Sequence, residues 1–314
     1  MLNNDWKIKR YVIISFIIIS TYFLLSALIY SDNTITILNT YIEFLVKGFS
    51  AFLVGSLFSD SEGIYEAFYK IGLLNFWAIA SFPFVSILDS MNYMRFGYAM
   101  LPSTIIFFIA YYNTRNKFAL LFGSFSLIEI VFYGSRGPIL GLILFYILFL
   151  IFNNHMRLRK KALLLFVNFG LFYMFYMNNI LLKLLDFVYY NLGLQSYSII
   201  KFRMMITDGM EESSSGRDSI YSTLWSYFEH NPLTGLGISF SQSSLGFTAH
   251  NIFLQILLES GLVGLLVWVC IWFVCLLKYK KISEVNYGRF SIITLIIAIS
   301  LGRLLVSSDL WLRP

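Results

Sequence analysis

Apolar residues in this chain come in runs of about twenty, separated by short polar turns. A run of that length crosses the hydrocarbon core of a bilayer as an α-helix. The two-residue alternation of a membrane β-barrel is absent. The pattern predicts spans at 11–30, 35–58, 64–88, 98–112, 118–134, 137–152, 162–182, 250–277 and 289–307. Glu66, Lys70 and Pro83 interrupt the third, and the tail SDLWLRP reads as the approach to a tenth. The expected fold is an all-α polytopic membrane protein with about nine to ten transmembrane helices. It forms a single integral membrane domain over 1–314, with one long loop at 183–249.

Composition agrees with this reading: 58% of residues are hydrophobic and 13% charged, where a soluble domain carries about a quarter. Mean hydropathy is +0.72. The net charge of +6 does not point to nucleic acid, because the basic residues are dispersed over short loops. Lys7, Lys9 and Arg10 precede the first span, and Arg115 and Lys117 follow the fourth. Arg157, Arg159, Lys160 and Lys161 follow the sixth; Lys278, Lys280 and Lys281 follow the eighth. Placing all of them in the cytoplasm satisfies the positive-inside rule with strict alternation, which leaves 183–249 outside. Long ordered loops of this kind are usually functional. The first apolar run lacks a small-residue cleavage site and reads as a retained helix. Cys270 and Cys275 share one apolar run without metal or redox spacing and read as packing residues.

The long loop and the helix after it concentrate the polarity of the chain. Ser215 and Asp218 have the spacing of a capping box around Gly216 and Arg217. Ile220, Leu224 and Phe228 then recur at helical spacing, and Pro232 stops the helix. Arg217 therefore sits in a first helical turn, where exposed N–H groups and the positive dipole end favour a phosphate. The alternative is an ion pair with Asp218, Glu211 or Glu212. Gly235 and Gly237 permit positive φ and close backbone approach, and a plain turn explains them equally. His250 and Asn251 stand at the mouth of the eighth span. Asn251, Gln255 and Glu259 fall on one helix face, a polar stripe reaching about 12 Å into the helix. Such a stripe must face protein or water, either in a functional site or in an interhelical network. Gly261 and Gly264 lie just deeper and suit close approach of another helix.

A second cationic corner is Gly134-Ser135-Arg136-Gly137-Pro138. Pro138 suits the first position of a helix, which puts Arg136 at a helix N-terminus. Arg303 lies in the outer part of the last span. Each arginine alone reads as an interfacial residue. Taken together at one depth, Arg136, Arg217 and Arg303 argue for an anionic ligand such as pyrophosphate. Glu43 with Lys47, and Glu66 with Lys70, are spaced to neutralise each other. His155 reads as solvated, and His230 as a partner of a helix C-terminus.

These residues resemble a known family. Ser215-Gly216-Arg217 with Trp225, then Asn231 to Gly237, then His250-Asn251 with Leu254, Glu259, Gly261 and Gly264 is similar to the signature of Wzy-type O-antigen polymerases and the related O-antigen ligases. The Ser135-Arg136-Gly137 turn resembles a second family element. The resemblance covers about 130–280 and implies an inverting, metal-independent glycosyltransferase of the multi-membrane-helix type, with no cofactor. It implies a donor glycan on undecaprenyl pyrophosphate, at the outer face of a bacterial inner membrane. The loop 183–249 is then the extracytoplasmic catalytic loop. By position, Arg136 and Arg217 would bind pyrophosphate and His250 would activate the acceptor hydroxyl; Glu259 matches a further family position and joins His250 as a catalytic candidate, and Arg303 joins the pyrophosphate set from its depth in the last span. Gly235, Gly237, Asn251 and Trp225 would shape the loop, with Trp225 suited to stacking on a sugar. Expected partners are the lipid-linked glycans and membrane lipid, with a flippase and a chain-length regulator, and no nucleic acid.

The leading reading is a polymerase of O-antigen or capsular repeat units. An O-antigen ligase or a protein O-glycosyltransferase would use the same donor with another acceptor. A lipid or metabolite transporter is the reading from a different class, with Glu43, Lys47 and Glu129 along its path. Against it stands the absence of internal repeats.

Overall fold

The computed structural model describes residues 10–57, 61–81, 93–177, 179–193, 196–207, 216–306 and 310–311. Lys7, Lys9, Pro83, Glu211, Glu212 and Ser215, and most of the tail, lie outside these residues. No strand occurs among the described residues. The helices are α1 (Arg10–Ile29), α2 (Thr34–Phe44), α3 (Ser50–Leu57), α4 (Ser61–Ile79), α5 (Tyr93–Thr114), α6 (Lys117–Tyr133) and α7 (Arg136–Phe152). They continue with α8 (Leu158–Met177), α9 (Ile180–Asp186), α10 (Tyr197–Thr207), α11 (Arg217–His230), α12 (Phe240–Leu245), α13 (Ile252–Val285) and α14 (Tyr287–Val306).

Each apolar run picked out in the sequence is mainly helical over its described residues, but among these fewer helices are long and apolar enough to cross a bilayer. These are Arg10–Ile29, Ser31–Ser56, Tyr93–Thr114, Ile252–Val285 and Tyr287–Val306. The remaining runs fall short for physical reasons. α6 and α7 have 17 residues each, about 26 Å of rise against a core of about 30 Å. α4 carries Glu66 and Lys70, paired at 2.7 Å and both well exposed. α8 opens on Arg159, Lys160 and Lys161. Glu43 and Lys47 also pair, across the π-turn Leu45–Phe49 that joins α2 to α3.

The chain gathers into two compact units, one of 1–64, 216–279 and 303–314, the other of 65–215 and 280–302. In the first, Phe23 and Ala27 of α1 pack with Ile37, Ile238 and Trp311. Leu224 and Phe228 of α11 pack with Ala249 and Leu258, so the apolar stripe of α11 is buried as its spacing predicts. His230 closes that helix, its Nδ1 2.7 Å from the Ser226 carbonyl. Gly216, at φ 80°, occupies the N-cap position with no side-chain cap bond, in place of the expected capping box. α13 leaves Leu262, Val263, Leu266 and Val267 exposed, as lipid-facing residues are. Cys270 and Cys275 are exposed as well, which corrects their reading as interior packing residues.

The second unit is built on α5, where Phe96, Met100, Leu101, Ile105 and Phe107 are all but fully buried. Polar side chains of the long loop fasten it here: Ser196 donates to the Phe132 carbonyl and Ser198 to that of Gly134. Arg203 donates to Asp186 at 2.6 Å, with its guanidinium 4.5 Å from the Tyr189 ring centroid. Gly97 of α5 is the contact that seats the α6–α7 turn. A Cβ there would meet Pro138 Cγ at 2.7 Å and Gly134 Cα at 3.2 Å. Neither the ring nor the backbone yields easily, so Gly97→Ala should cost about 1–3 kcal/mol. A lowered melting temperature of the detergent-solubilised protein is the expected result; an unchanged one would show that this contact is slack.

Candidate functional site

The head of α13 is set by Asn251, whose Oδ1 accepts from the N–H groups of Phe253 (3.0 Å) and Leu254 (3.3 Å). This is an N-cap, which satisfies two of the donors a helix start leaves open. His250 precedes it in a left-handed conformation, φ 51°, uncommon for a residue with a side chain. Its imidazole is half-buried, with the Thr248 hydroxyl 3.1 Å from Nε2 and 3.3 Å from Nδ1.

Beside this head lies a cavity of about 550 Å³, lined by Tyr221, Ser222 and Trp225 of α11 and by Asn251, Phe253 and Leu254. Arg217, Tyr221 and Trp225 are spaced by fours and share one face of α11. Trp225 is 49% exposed, a free aromatic surface. Arg217 stands in the first turn and has no ion-pair partner among the described residues. The expected competitor Asp218 does not engage it. The wall is thus aromatic, with polar groups at its rim and a cation one turn beyond Tyr221.

The second feature is a break in α13. Gly261 has φ 65° and ψ −164°, which no other residue adopts at low cost. The break frees backbone groups on both sides, and the loop after Pro232 pairs with them. Leu236 N–H donates to the Leu258 carbonyl (2.8 Å) and Gly237 N–H to that of Glu259 (3.0 Å). Leu262 N–H donates to the Pro232 carbonyl (2.9 Å) and Val263 N–H to that of Leu233 (3.2 Å). Such close contact requires glycine on both partners. A Cβ on Gly235, at φ 72°, would lie 2.6 Å from the Glu259 carbonyl carbon, and one on Gly261 would lie 2.2 Å from the Leu233 oxygen. Gly261 was expected to admit another helix; it admits this loop instead. At Gly264 a Cβ would meet only the Ser260 side chain.

Glu259 locks the two strands of this contact together. It is 4% exposed. Its Oε1 accepts from Ser239 N–H at 3.1 Å and Gln255 Nε2 at 2.9 Å, and its Oε2 accepts from Trp311 Nε1 at 2.6 Å. Gln255 Oε1 in turn accepts from Leu310 N–H at 3.0 Å. Three donors converge on one carboxylate, which a carboxamide would not match. The polar stripe of α13 therefore closes as a network at Gln255 and Glu259, while Asn251 serves as cap. Tyr30 donates to the Gly235 carbonyl at 3.0 Å, and Ser26 Oγ accepts from Ile238 N–H at 3.0 Å. Ser26, Tyr30 and Trp311 went unnoticed in the sequence. Each lies in an apolar stretch whose local pattern marks only a membrane helix or its approach.

Arg136 belongs to the second unit. It opens α7 after Ser135, and its Nη1 is 4.0 Å from Met205 Sδ of α10. Pro138 is the third residue of that helix, not the first, which is tolerated because first-turn N–H groups have no intrahelical partner. Arg303 is half-buried in the last turn of α14. The structure thus gathers Trp225 and Asn251 about one cavity, with Asn251 next in chain to His250 and Arg217 one turn before Tyr221 on α11, outside the lining, and it gathers Gly235 and Gly237 about Glu259. Arg203, absent from the sequence candidates, is already paired and serves the fold. Glu129 of α6 is 3% exposed, and neither of its oxygens is hydrogen-bonded among the described residues.

Fold and site define a multi-pass helical membrane protein with a loop packed into a broken helix. Residues 121–269 match the model of the O-antigen ligase family, a match that supports membership of the O-antigen ligase superfamily. The matched stretch runs from α6 into α13. Comparison with curated proteins and with solved structures gave no match. The match supports an enzyme of the glycosyl-transfer type, and the matched family acts on lipid-linked glycans.

Proposed function

We propose that the protein joins oligosaccharide repeat units carried on undecaprenyl pyrophosphate into a surface polysaccharide, at the outer face of a bacterial inner membrane. The observation that carries this reading is the cavity between Tyr221 and Trp225 of α11 and the Asn251 head of α13, with Arg217 one turn away on the same helix face. Aromatic walls suit sugar faces, and in repeat-unit joining both donor and acceptor present sugars. In this reading the acceptor hydroxyl gives its proton to the His250 imidazole, acting as a general base. The hydroxyl oxygen forms a bond to the anomeric carbon of the donor. The bond from that carbon to the pyrophosphate oxygen breaks, and the electron pair leaves with the pyrophosphate. Arg217, at the positive end of α11, stabilises the departing charge. Attack opposite the leaving group inverts the anomeric centre, and no metal is called upon. Arg136 and Arg303 enter the proposal on the sequence pattern alone.

Glu259 enters as a positioning residue rather than a base. A base must offer an oxygen to the incoming proton, and both Glu259 oxygens already accept hydrogen bonds. What it holds is Ser239, the N-cap of α12, which leads on to His250.

The family that matches is described as O-antigen ligase, which favours a second reading in which the same donor is transferred to a lipid A-core acceptor. Purified protein with lipid-linked repeat units should build a ladder of chain lengths, insensitive to chelators. Transfer to lipid A-core without a ladder would establish the second reading instead. Arg217→Ala should slow transfer by about 10²–10³-fold; full chain growth in that variant would remove Arg217 from the site. In cells, loss of a polymerase leaves single-repeat caps, whereas loss of a ligase leaves uncapped polymer.

A further inference from the structure

The second unit contains a separate cavity of about 380 Å³ among α5, α6, α7 and α8. Phe108, Leu127 and Leu142 line one end, and Tyr112, Leu150 and Met156 the other. Leu142 and Leu150 lie eight residues apart on α7, about 12 Å of helix rise. Tyr146 also lines it, and its hydroxyl accepts from Asn168 Nδ2 at 2.7 Å, tying α7 to α8. Water inside such a cavity would lack the polar partners that hold buried water. A hydrocarbon chain fits it.

The chemistry of the occupant is written at the Met156 end. There the chain turns into α8, whose first turn carries no acidic residue. Arg157, Arg159 and Lys160 are exposed, and none has an ion-pair partner among the described residues. Lys161 is committed elsewhere, donating to the Ile151 carbonyl at 2.9 Å. Arg115, at the same end of α5, has its guanidinium 5.7 Å from the Tyr112 ring centroid. Cations crowded at the positive end of a helix repel it and one another, and an anion there relieves both. Basic pockets between membrane helices on the cytoplasmic side take lipid headgroups, and the charge pattern puts this loop on that side.

We propose that this cavity holds an acyl chain of an anionic phospholipid, with the phosphate of its headgroup on Arg157, Arg159 and Lys160. The site is independent of glycosyl transfer and asks nothing of His250 or Arg217. The test is native mass spectrometry of the full chain released from detergent with phosphatidylglycerol or phosphatidylethanolamine added. Phosphatidylglycerol should be retained preferentially, and the preference should fall as salt is raised on the unmodified protein. Replacing Arg157, Arg159 and Lys160 by glutamine should lower it roughly fivefold per residue. Leu142→Trp, which fills the inner end, should reduce retention of both lipids while the melting temperature holds. Equal retention of the two lipids, or a preference unmoved by salt, overturns the proposal. So does displacement of phosphatidylglycerol by equimolar polyprenyl phosphate, which would assign the cavity to the glycan carrier.

Discussion

Gly261→Ala is expected to cost the first unit about 3 kcal/mol or more and to abolish transfer. Alanine at φ 65° and ψ −164° carries a backbone penalty of about 1–3 kcal/mol. Its methyl group would also sit 2.2 Å from the Leu233 oxygen and 2.4 Å from the Leu233 carbonyl carbon. Backbone cannot swing aside as a side chain does, so the loop must lift from the break. Lifting strands the N–H groups of Leu262 and Val263 and the carbonyls of Leu258 and Glu259, each costing about 1–3 kcal/mol if left buried and unpaired. Thermal unfolding in detergent measures the loss. Gly55→Ala in α3 is the control. A Cβ there meets nothing within 4 Å, and alanine suits a helix interior better than glycine, so its melting temperature should stay at or slightly above the parent's. Equal stability of Gly261→Ala and Gly55→Ala would mean that the helix is continuous at Gly261.

His250→Ala should lower turnover by about 10²–10⁴-fold, the usual contribution of a positioned general base. The KM for the lipid-linked donor should stay nearly constant, because the proposed donor contacts rest on the arginines. That split distinguishes loss of a base from collapse of the segment, which would raise KM as well. The left-handed backbone at His250 (φ 51°) gives a second handle. Asn adopts this conformation more readily than most residues, so His250→Asn keeps the turn and removes only the base. It should be as slow as His250→Ala and melt at or above the same temperature. Full turnover in either variant would move the base elsewhere.

Much of this molecule is legible from local pattern. Runs of bilayer length can satisfy their backbone only as helices, so the helical character of the apolar runs over their described residues follows from composition along the chain. The extent of α11 follows from Ile220, Leu224 and Phe228 at helical spacing and from Pro232 beyond them. The pairs Glu43–Lys47 and Glu66–Lys70 follow from the geometry of one helix. Span count is less legible, because α6 and α7 are short and no rule of composition says how a neighbour compensates for length.

The sequence by itself determined where the polar chemistry of the chain resides, namely Arg217 in a first helical turn, His250 and Asn251 at a helix mouth, and a stripe that must be covered. These are properties of neighbours within a turn or two, governed by periodicity and by which side chains hydrocarbon tolerates. Tertiary structure alone decided that Arg203 is spent on Asp186 while Arg217 has no ion pair among the described residues, that α13 breaks at Gly261, and that Glu259 is held by three donors. A glycine reads the same in an unbroken membrane helix as in a broken one until another segment arrives to pair the exposed backbone. The donors that saturate Glu259 arrive from Ser239 and Trp311, and the bonds that anchor the loop arrive from Ser26 and Tyr30, more than two hundred residues away. Partners of that kind are set by how helices pack, and no local pattern announces them.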